Sequence, residues 1–519
     1  MFVTADTNHI VIPWHEGLAQ LIPHARELAY QGQRMLVIPN RHEEAKVARN
    51  LGVPVPSPIL TRYDWCGGSP PAWRVQKLTA ALATESPRAY VLNDLGTGKT
   101  RAAIYASDYL RRAQGMGRVL ITAPLSTLTL VWERELFKLL PQSKVRIVYG
   151  SRMQRVKLLS EDADWFIINH HGLALLIDEI VNRGFDIIVI DELAVFRNKS
   201  SQLWKSANAV IQGTAAKYVW GMTGAPTPTA PTDAWGQIKL LTPDRTTKSL
   251  VRFKDMTMRQ VGNFKWIARD QANDIVFWQM QPSVRFTRDD VMELPPTTWT
   301  TRQVKLDPAA AYAYKALFDK MVMTTKAGET ITAVNEGVLQ NKLLQVSCGY
   351  IYTDRRGVYE LPNQSRLDEL LDVIHEASRK VIVFVPFIHA LGGIAKFLQK
   401  NKITVGVVFG ETSRAARNKI FDAFQNTPQP RVLVAHPQCM AHGLTLTAAN
   451  TIVWYTAINS LEIYEQANAR PIRPGQTSNT LIVHLAATPA EKAAYKRLKD
   501  RASLQGMLLE LFKNQDVEF

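Results

Sequence analysis

Short runs of apolar, largely β-branched residues recur along the chain, separated by segments of helix length. In the first half they are Tyr90–Asn93, Val119–Thr122, Val145–Tyr149, Trp165–Asn169, Ile187–Ile190 and Tyr218–Gly221; in the second, Val381–Val385, Val405–Phe409, Val432–Ala435, Ile452–Tyr455 and Leu481–His484. Continuous apolar runs without alternation fit strands covered on both faces. Their alternation with helical segments predicts parallel α/β sheets. Two such series predict two α/β lobes, over 61–245 and 366–487.

The stretch 246–365 breaks this rhythm. It holds a basic and aromatic segment from Val251 to Trp278, a Leu294-Pro295-Pro296 break, and helical patterns over Pro308–Thr325 and Leu339–Val346. We expect a helical insertion and the connection between the lobes. Residues 1–60 read as a small α/β unit: a strand over His9–Pro13, a helix, a strand over Met35–Pro39, a second helix and a proline-rich loop. Residues 488–519 read as a C-terminal helix.

Composition narrows the class. With 46% hydrophobic and 21% charged residues in 519, the chain can build packed cores and is not a disordered polyelectrolyte. Sixty-two Lys and Arg against 46 Asp and Glu give a formal charge of +16, which favours a polyanionic partner, most often nucleic acid. Three cysteines exclude a disulfide scaffold and fit a reducing compartment. The N-terminus lacks a basic start followed by an apolar run, and no apolar stretch reaches spanning length. The expectation is a cytoplasmic protein with no membrane partner, from a bacterial or virus-infected cell.

The strongest local chemistry is Asn93-Asp94-Leu95-Gly96-Thr97-Gly98-Lys99-Thr100, set between a predicted strand and a predicted helix. That is the context of a phosphate-binding loop. Gly96 and Gly98 let backbone N–H groups close around a phosphate, and the helix N-terminus adds partial positive charge. Lys99 can reach the β- and γ-phosphates, and the Thr100 hydroxyl can ligate Mg²⁺. Asn93 stands where the general pattern has its first glycine. The acidic partner is Asp191-Glu192, at the C-terminal edge of the apolar run Ile187–Ile190. There Asp191 would hold Mg²⁺ and Glu192 would orient or deprotonate a water.

At this point the sequence resembles superfamily 2 helicases and translocases, in the Swi/Snf-like branch. Asp94–Thr100 is similar to motif I of that branch, and Ala123-Pro124-Leu125-Ser126, followed by Trp132 and Glu135, to motif Ia. Asn169-His170-His171-Gly172 falls at motif Ib. Asp191-Glu192-Leu193-Ala194 resembles motif II, with Leu-Ala for the commoner Ala-His. Thr223-Gly224-Ala225-Pro226 resembles motif III, with Ala225 for Thr. Arg74 and Gln76 sit where the adenine-reading Q motif lies. In the second half, Lys380–Val385 resembles motif IV, Gly410-Glu411-Thr412 with Arg417 the segment after it, and Gly443-Leu444-Thr445-Leu446-Thr447 motif V. Gln466-Ala467-Asn468-Ala469-Arg470-Pro471-Ile472-Arg473-Pro474-Gly475-Gln476 is similar to motif VI.

The resemblance implies two RecA-like lobes, ATP and Mg²⁺ as cofactors, and a DNA-dependent ATPase that acts as a motor on duplex or branched DNA without reading sequence. It implies that Arg74, Gln76 and the loop from Asp94 to Thr100, Leu95 and Thr97 included, bind ATP. Arg473, with Arg470 second, would add charge at the γ-phosphate when the lobes close, and Gln466 would position them. Thr223 and Gly443 would couple the two events. Ser126, His170 and Thr445 would meet the nucleic-acid backbone. Apart from the resemblance, the basic residues Arg252, Lys254, Arg259 and Lys265, with Phe253, Phe264 and Trp266 interleaved, leave two readings: a grip on duplex phosphates, or local core aromatics with charges that face water.

Other signals are set aside. His436-Pro437-Gln438-Cys439-Met440-Ala441-His442 has metal-like spacing but no fourth ligand nearby in sequence. Trp266, Trp278 and Trp299 are expected in the core rather than as base-stacking platforms. The N-terminal unit is expected to brace the first lobe, with a pattern-level resemblance to the substrate-recognition modules of annealing helicases. Two other functions remain: a strand-separating helicase on DNA or RNA, and a nucleic-acid-binding scaffold with a decayed ATPase.

Overall fold

The computed structural model describes residues 1–65, 71–261, 265–291, 294–325, 330–354, 357–440, 445–473 and 475–513, with Lys265 and Arg414 described by their backbone alone. The chain forms two units, Met1–Val291 with Gln505–Phe519, and Met292–Leu504.

Unit 1 begins with an antiparallel sheet of β1 (Phe2–Val3), β2 (His9–Pro13), β3 (Arg26–Tyr30) and β4 (Gln33–Pro39), in the order β1-β2-β4-β3. Strand β3 was not expected. Its sequence, Arg-Glu-Leu-Ala-Tyr, is exposed throughout and carries no alternation. It is specified instead by the two-residue turn Gln31-Gly32, both at positive φ, which joins it to β4 as a tight hairpin. Ile10, Ile12, Leu36 and Ile38 face the two helices of the small unit, Glu16–Leu21 and His42–Asn50. The unit is fixed to the rest of unit 1 by Arg49–Glu85 at 2.6 Å, by Asn40 Nδ2 donating to Thr61 Oγ1 at 2.8 Å, and by the His42 ring on Tyr109.

The main sheet of unit 1 has seven parallel strands: β5 (Arg88–Val91), β6 (Val119–Ala123), β7 (Val145–Val148), β8 (Trp165–Asn169), β9 (Ile187–Asp191) and β10 (Tyr218–Met222), then β13 (Ser283–Val284) beyond the hairpin β11 (Met258–Val261) and β12 (Lys265–Ala268). The order is β13-β5-β10-β9-β6-β8-β7. Successive side chains point to opposite faces, so Leu120 and Ile188 enter one core while Val119 and Val189 enter the other. Leu508, Leu509 and Phe512 of the final helix join the first of these cores.

Unit 2 carries a second parallel sheet: β14 (Thr297–Gln303), then, after the small hairpins β15 (Val322–Thr324) with β16 (Thr330–Thr332) and β17 (Tyr350–Tyr352) with β18 (Val358–Glu360), the strands β19 (Lys380–Phe384), β20 (Val405–Val408), β21 (Val432–Ala435), β22 (Ala449–Trp454) and β23 (Thr480–Ala486). Its order is β14-β23-β22-β19-β21-β20. The protein is thus α/β, with two RecA-like parallel-sheet lobes. The stretch 246–365 contributes one strand to each sheet as well as helices. Its expected helix Pro308–Thr325 ends at Lys320, because Met321 turns into the left-handed region at φ 55° and the chain enters β15. Within unit 2, Arg366 Nη2 donates to Glu491 Oε2 at 2.7 Å, both side chains almost wholly buried. Among the described residues no helix is long and apolar enough to cross a membrane.

Candidate nucleotide-hydrolysis site

The C-terminal ends of β5, β9 and β10 are neighbours in the sheet, so parallel pairing alone gathers the loops that follow them. The loop after β5 enters the helix Lys99–Gln114 through Gly96 at φ 92° and Gly98 at φ 82°, both left-handed positions that favour glycine. Thr97 Oγ1 closes the turn by donating to the Asp94 carbonyl at 2.9 Å. Leu95 and Thr100 are partly exposed on the loop and the first helical turn. The Lys99 ammonium folds back onto the loop, donating to the carbonyls of Asn93 at 2.8 Å and Asp94 at 3.0 Å. Burial pulls its pKa down, against the opposing pull of Glu192, Asp191 and Asp94.

Asn93, where a glycine is commoner, works as a brace. Buried, it donates from Nδ2 to Thr79 Oγ1 at 2.8 Å and accepts at Oδ1 from the Phe286 backbone N–H at 3.0 Å. The partner segment is β13 and its continuation. Leu92 N–H donates to Val284 O at 2.8 Å, and Asp94 N–H to Phe286 O at 2.9 Å. Arg285 reaches the Leu92 carbonyl and the Asp94 carboxylate, both at 2.5 Å. Sequence reasoning missed Arg285, since a two-residue strand gives no periodic signal.

Gln76 is buried on the helix Arg74–Glu85, its Oε1 accepting from Trp73 N–H at 3.0 Å, and its amide lies against Gly98: a Cβ there would stand 2.0 Å from Nε2. Arg74, two residues earlier, is exposed.

Asp191 ends β9 and is partly buried. Burial pushes its pKa up, opposed by the indole N–H of Trp132 on Oδ2 at 3.0 Å, by Lys99 and by the Glu192 N–H on Oδ1 at 3.1 Å. Glu192 holds φ 54°, ψ 55°, a strained conformation for a non-glycine residue. Thr223, after β10, donates its N–H to Val91 O at 3.0 Å and accepts the Ala225 N–H at Oγ1 at 3.2 Å. Lys99, Asp191, Glu192 and Thr223 are therefore gathered at one end of one sheet.

In unit 2, Gln466 is buried on the helix Leu461–Asn468. Arg470 is 1% exposed, and its carbonyl accepts from Leu446 N–H at 3.1 Å. Arg473 is partly exposed and donates from Nε to Ala469 O at 3.2 Å. Gln476 ties this loop to β22 by donating to Ala449 O at 2.8 Å and Pro471 O at 3.1 Å. Gly443, Leu444 and Pro474 lie outside the described residues.

The nucleic-acid candidates divide. Thr445 and Arg252 are exposed, and Ser126 is partly so. Lys254 stands with Nζ 3.6 Å over the Trp266 ring, while Phe253 between the basic residues is buried core. Phe264 and the Lys265 side chain lie outside the described residues. His170 does not fit a backbone contact: it is 6% exposed, its Nδ1 hydrogen-bonded to Thr122 Oγ1 at 2.8 Å and its ring edge-on to Phe196. Two tryptophans expected in the core are at the surface. Trp278 is 70% exposed, because its helix turns the adjacent Phe277 inward onto Phe512. Trp299 is 57% exposed on β14, an edge strand of its sheet.

Residues 77–348 match the model of the SNF2-related domain, and residues 364–475 that of the helicase conserved C-terminal domain. The chain belongs to the SNF2-related family. An "Uncharacterized ATP-dependent helicase" of Mycoplasma pneumoniae is 25% identical over 403 residues, covering 76% of this chain and 37% of the relative. "Putative protein p41" of Acyrthosiphon pisum secondary endosymbiont phage 1 is 25% identical over 461 residues, covering 82% of this chain and 95% of the relative. The bovine DNA annealing helicase and endonuclease ZRANB3 is 24% identical over 434 residues, covering 79% and 38%. The chain thus spans well under half of the first mycoplasma relative and nearly all of the phage one. Among solved structures, the Sulfolobus solfataricus SWI2/SNF2 ATPase core in complex with dsDNA matches with TM-score 0.39 and 22% identity, over 85% of this chain and 95% of that one.

Proposed function

We propose that the protein is an ATP-driven motor on double-stranded DNA, which remodels branched DNA or displaces bound proteins rather than reading sequence. The observation that carries the reading is the gathering of Lys99, Asp191, Glu192 and Thr223 at the C-terminal ends of three adjacent strands, in a chain of the SNF2-related family.

In this reading the triphosphate enters the loop Asp94–Thr100, where backbone N–H groups at the helix N-terminus receive it. Lys99 exchanges its two carbonyl partners for phosphate oxygens. Gln76, held against Gly98, and Arg74 address the base. The donor set suits Mg²⁺: the Thr100 hydroxyl and the Asp191 carboxylate are hard oxygen ligands, and the partial burial of Asp191 disfavours its charge in the absence of a cation. Mg²⁺ there would neutralise charge developing on the phosphates. Glu192 orients and deprotonates the attacking water. Arg473, with Arg470 second and Gln466 positioning them, supplies positive charge to the γ-phosphate on closure of the lobes, and Thr223 and Gly443 relay the change. Ser126, Thr445, Arg252, Lys254 and Lys265 contact phosphates, which gives sequence-independent binding.

The test is phosphate release with no nucleic acid, single strand, duplex, fork, four-way junction and RNA. Stimulation by duplex or branched DNA, abolished in Lys99→Ala, is the expected result. Turnover that no DNA raises, or that RNA alone raises, overturns the reading.

A further inference from the structure

Trp132 hydrogen-bonds to the acidic residue of the site from outside it. Fully buried, it donates its indole N–H to Asp191 Oδ2 at 3.0 Å. It lies in a π-helical turn, Leu128–Glu133, which follows the loop Pro124–Thr127 at the end of β6. Such turns are uncommon, and they re-aim a side chain relative to a regular helix. One turn on, Glu135 pairs with Arg101 at 2.6 Å, two residues beyond Lys99 on the phosphate-loop helix. The segment after β6 is thus clipped to the hydrolytic machinery at two points, one on the acidic strand end and one on the helix that follows the phosphate loop. The loop at its start is internally closed, Thr127 N–H and Oγ1 both bonding Pro124 O at 2.9 Å, and it presents the exposed Leu125 and the partly exposed Ser126.

We infer that Trp132 is a positioning residue, through which DNA held at the Pro124–Thr127 loop sets the orientation of the Asp191 carboxylate. The inference rests on the motor reading above. It deepens it by naming the link between track and hydrolysis. The physical reason is that a partly buried carboxylate is oriented by its donors. Among the described residues two N–H groups donate to Asp191, and of these the indole N–H is the one that comes from a segment that also carries an exposed loop. A displacement of that loop moves the π-helical turn, and with it the donor.

Two substitutions test this, Trp132→Phe and replacement of Trp132 by 3-benzothienylalanine, which keeps the shape of the ring and lacks the N–H. With either, duplex-stimulated kcat is expected to fall about tenfold, the size of a lost hydrogen bond to a charged group, while KM for ATP stays within about twofold. A readout independent of turnover is the indole ¹⁵N–¹H signal of residue 132, identified by its loss in both variants. It is expected to shift when duplex DNA is added without nucleotide. Stimulated kcat of the benzothienyl protein within about twofold of wild type, a rise in KM that matches the fall in kcat, or an indole signal indifferent to DNA would each overturn the link. A wild type that duplex DNA does not stimulate is a separate result: it overturns the motor reading itself, and the inference with it.

Discussion

Arg285 holds Asp94 from 191 positions away in sequence: one guanidinium nitrogen meets the carboxylate at 2.5 Å and another meets the Leu92 carbonyl at 2.5 Å. The phosphate loop is therefore shaped by a segment that the chain reaches only after the sheet is otherwise complete. From β13 the chain runs on to Val291, the end of the first of the two segments that make up unit 1.

Replacing Arg285 by Met removes the guanidinium from the Leu92 carbonyl and from the partly buried Asp94 carboxylate, which keeps the Arg288 N–H on Oδ2 at 3.3 Å. The expected cost is about 2–4 kcal/mol of unit 1 stability, read as a lower urea midpoint, with KM for ATP raised at least about tenfold through loss of the loop's shape. Unchanged KM would show that the loop keeps its form without the brace.

Gly98→Ala meets two obstacles, a φ of 82° and the Gln76 amide 2.0 Å from the new methyl group. ATP binding should be lost in the single variant. Gly98→Ala with Gln76→Ala removes the collision but not the backbone strain, which costs about 1–2 kcal/mol. Nucleotide titration should then show partial recovery, still weaker than wild type by about an order of magnitude. Equal affinity of the single and double variants would exclude the collision as a cause.

What the sequence reveals follows from where its signals sit. Loops at the ends of continuous apolar strands are legible, because an apolar run fixes the strand and the polar residues after it must lie at its end: Lys99, Asp191 and Thr223 all belong to this class. β13 with Arg285, and β3 in the N-terminal sheet, are illegible because their pairing is set by partners distant in sequence or by a turn, not by their own pattern. The inward side of a loop residue is equally hidden. His170 follows a strand as Ser126 does, yet folds onto Thr122 and Phe196. Trp278 and Trp299 show the converse, large apolar residues that a surface helix and an edge strand leave in water.

His484 offers a pH-dependent test in unit 2. It is partly buried and stacks on Tyr495, with a hydrogen bond to the Tyr464 hydroxyl at 2.8 Å, and desolvation lowers its pKa to about 4. The folded state disfavours the proton that the unfolded chain takes up near pH 6.5. Stability is therefore full above that pH and falls as pH drops toward 4, by about 3 kcal/mol in all. The stability difference between wild type and His484→Phe, from urea unfolding at stepped pH, should change with that slope. A difference independent of pH would contradict the assignment.

Glu491→Gln in unit 2 leaves the Arg366 charge buried beside a neutral amide. Its Oε1 also accepts from Thr456 and its Oε2 from the Ala487 N–H. Loss of about 3–5 kcal/mol is expected by chemical denaturation, the size for a buried pair broken on one side. A loss below about 1 kcal/mol would place the pair in the class of solvent-screened ones.

The central claim, that ATP hydrolysis drives movement along duplex DNA, is tested most directly by displacement of a third strand from a DNA triplex without separation of the duplex beneath. ATP-dependent release of the third strand is expected of wild type, and none of Lys99→Ala or Arg473→Ala. A wild type that hydrolyses ATP on duplex DNA yet leaves the third strand in place would contradict the claim.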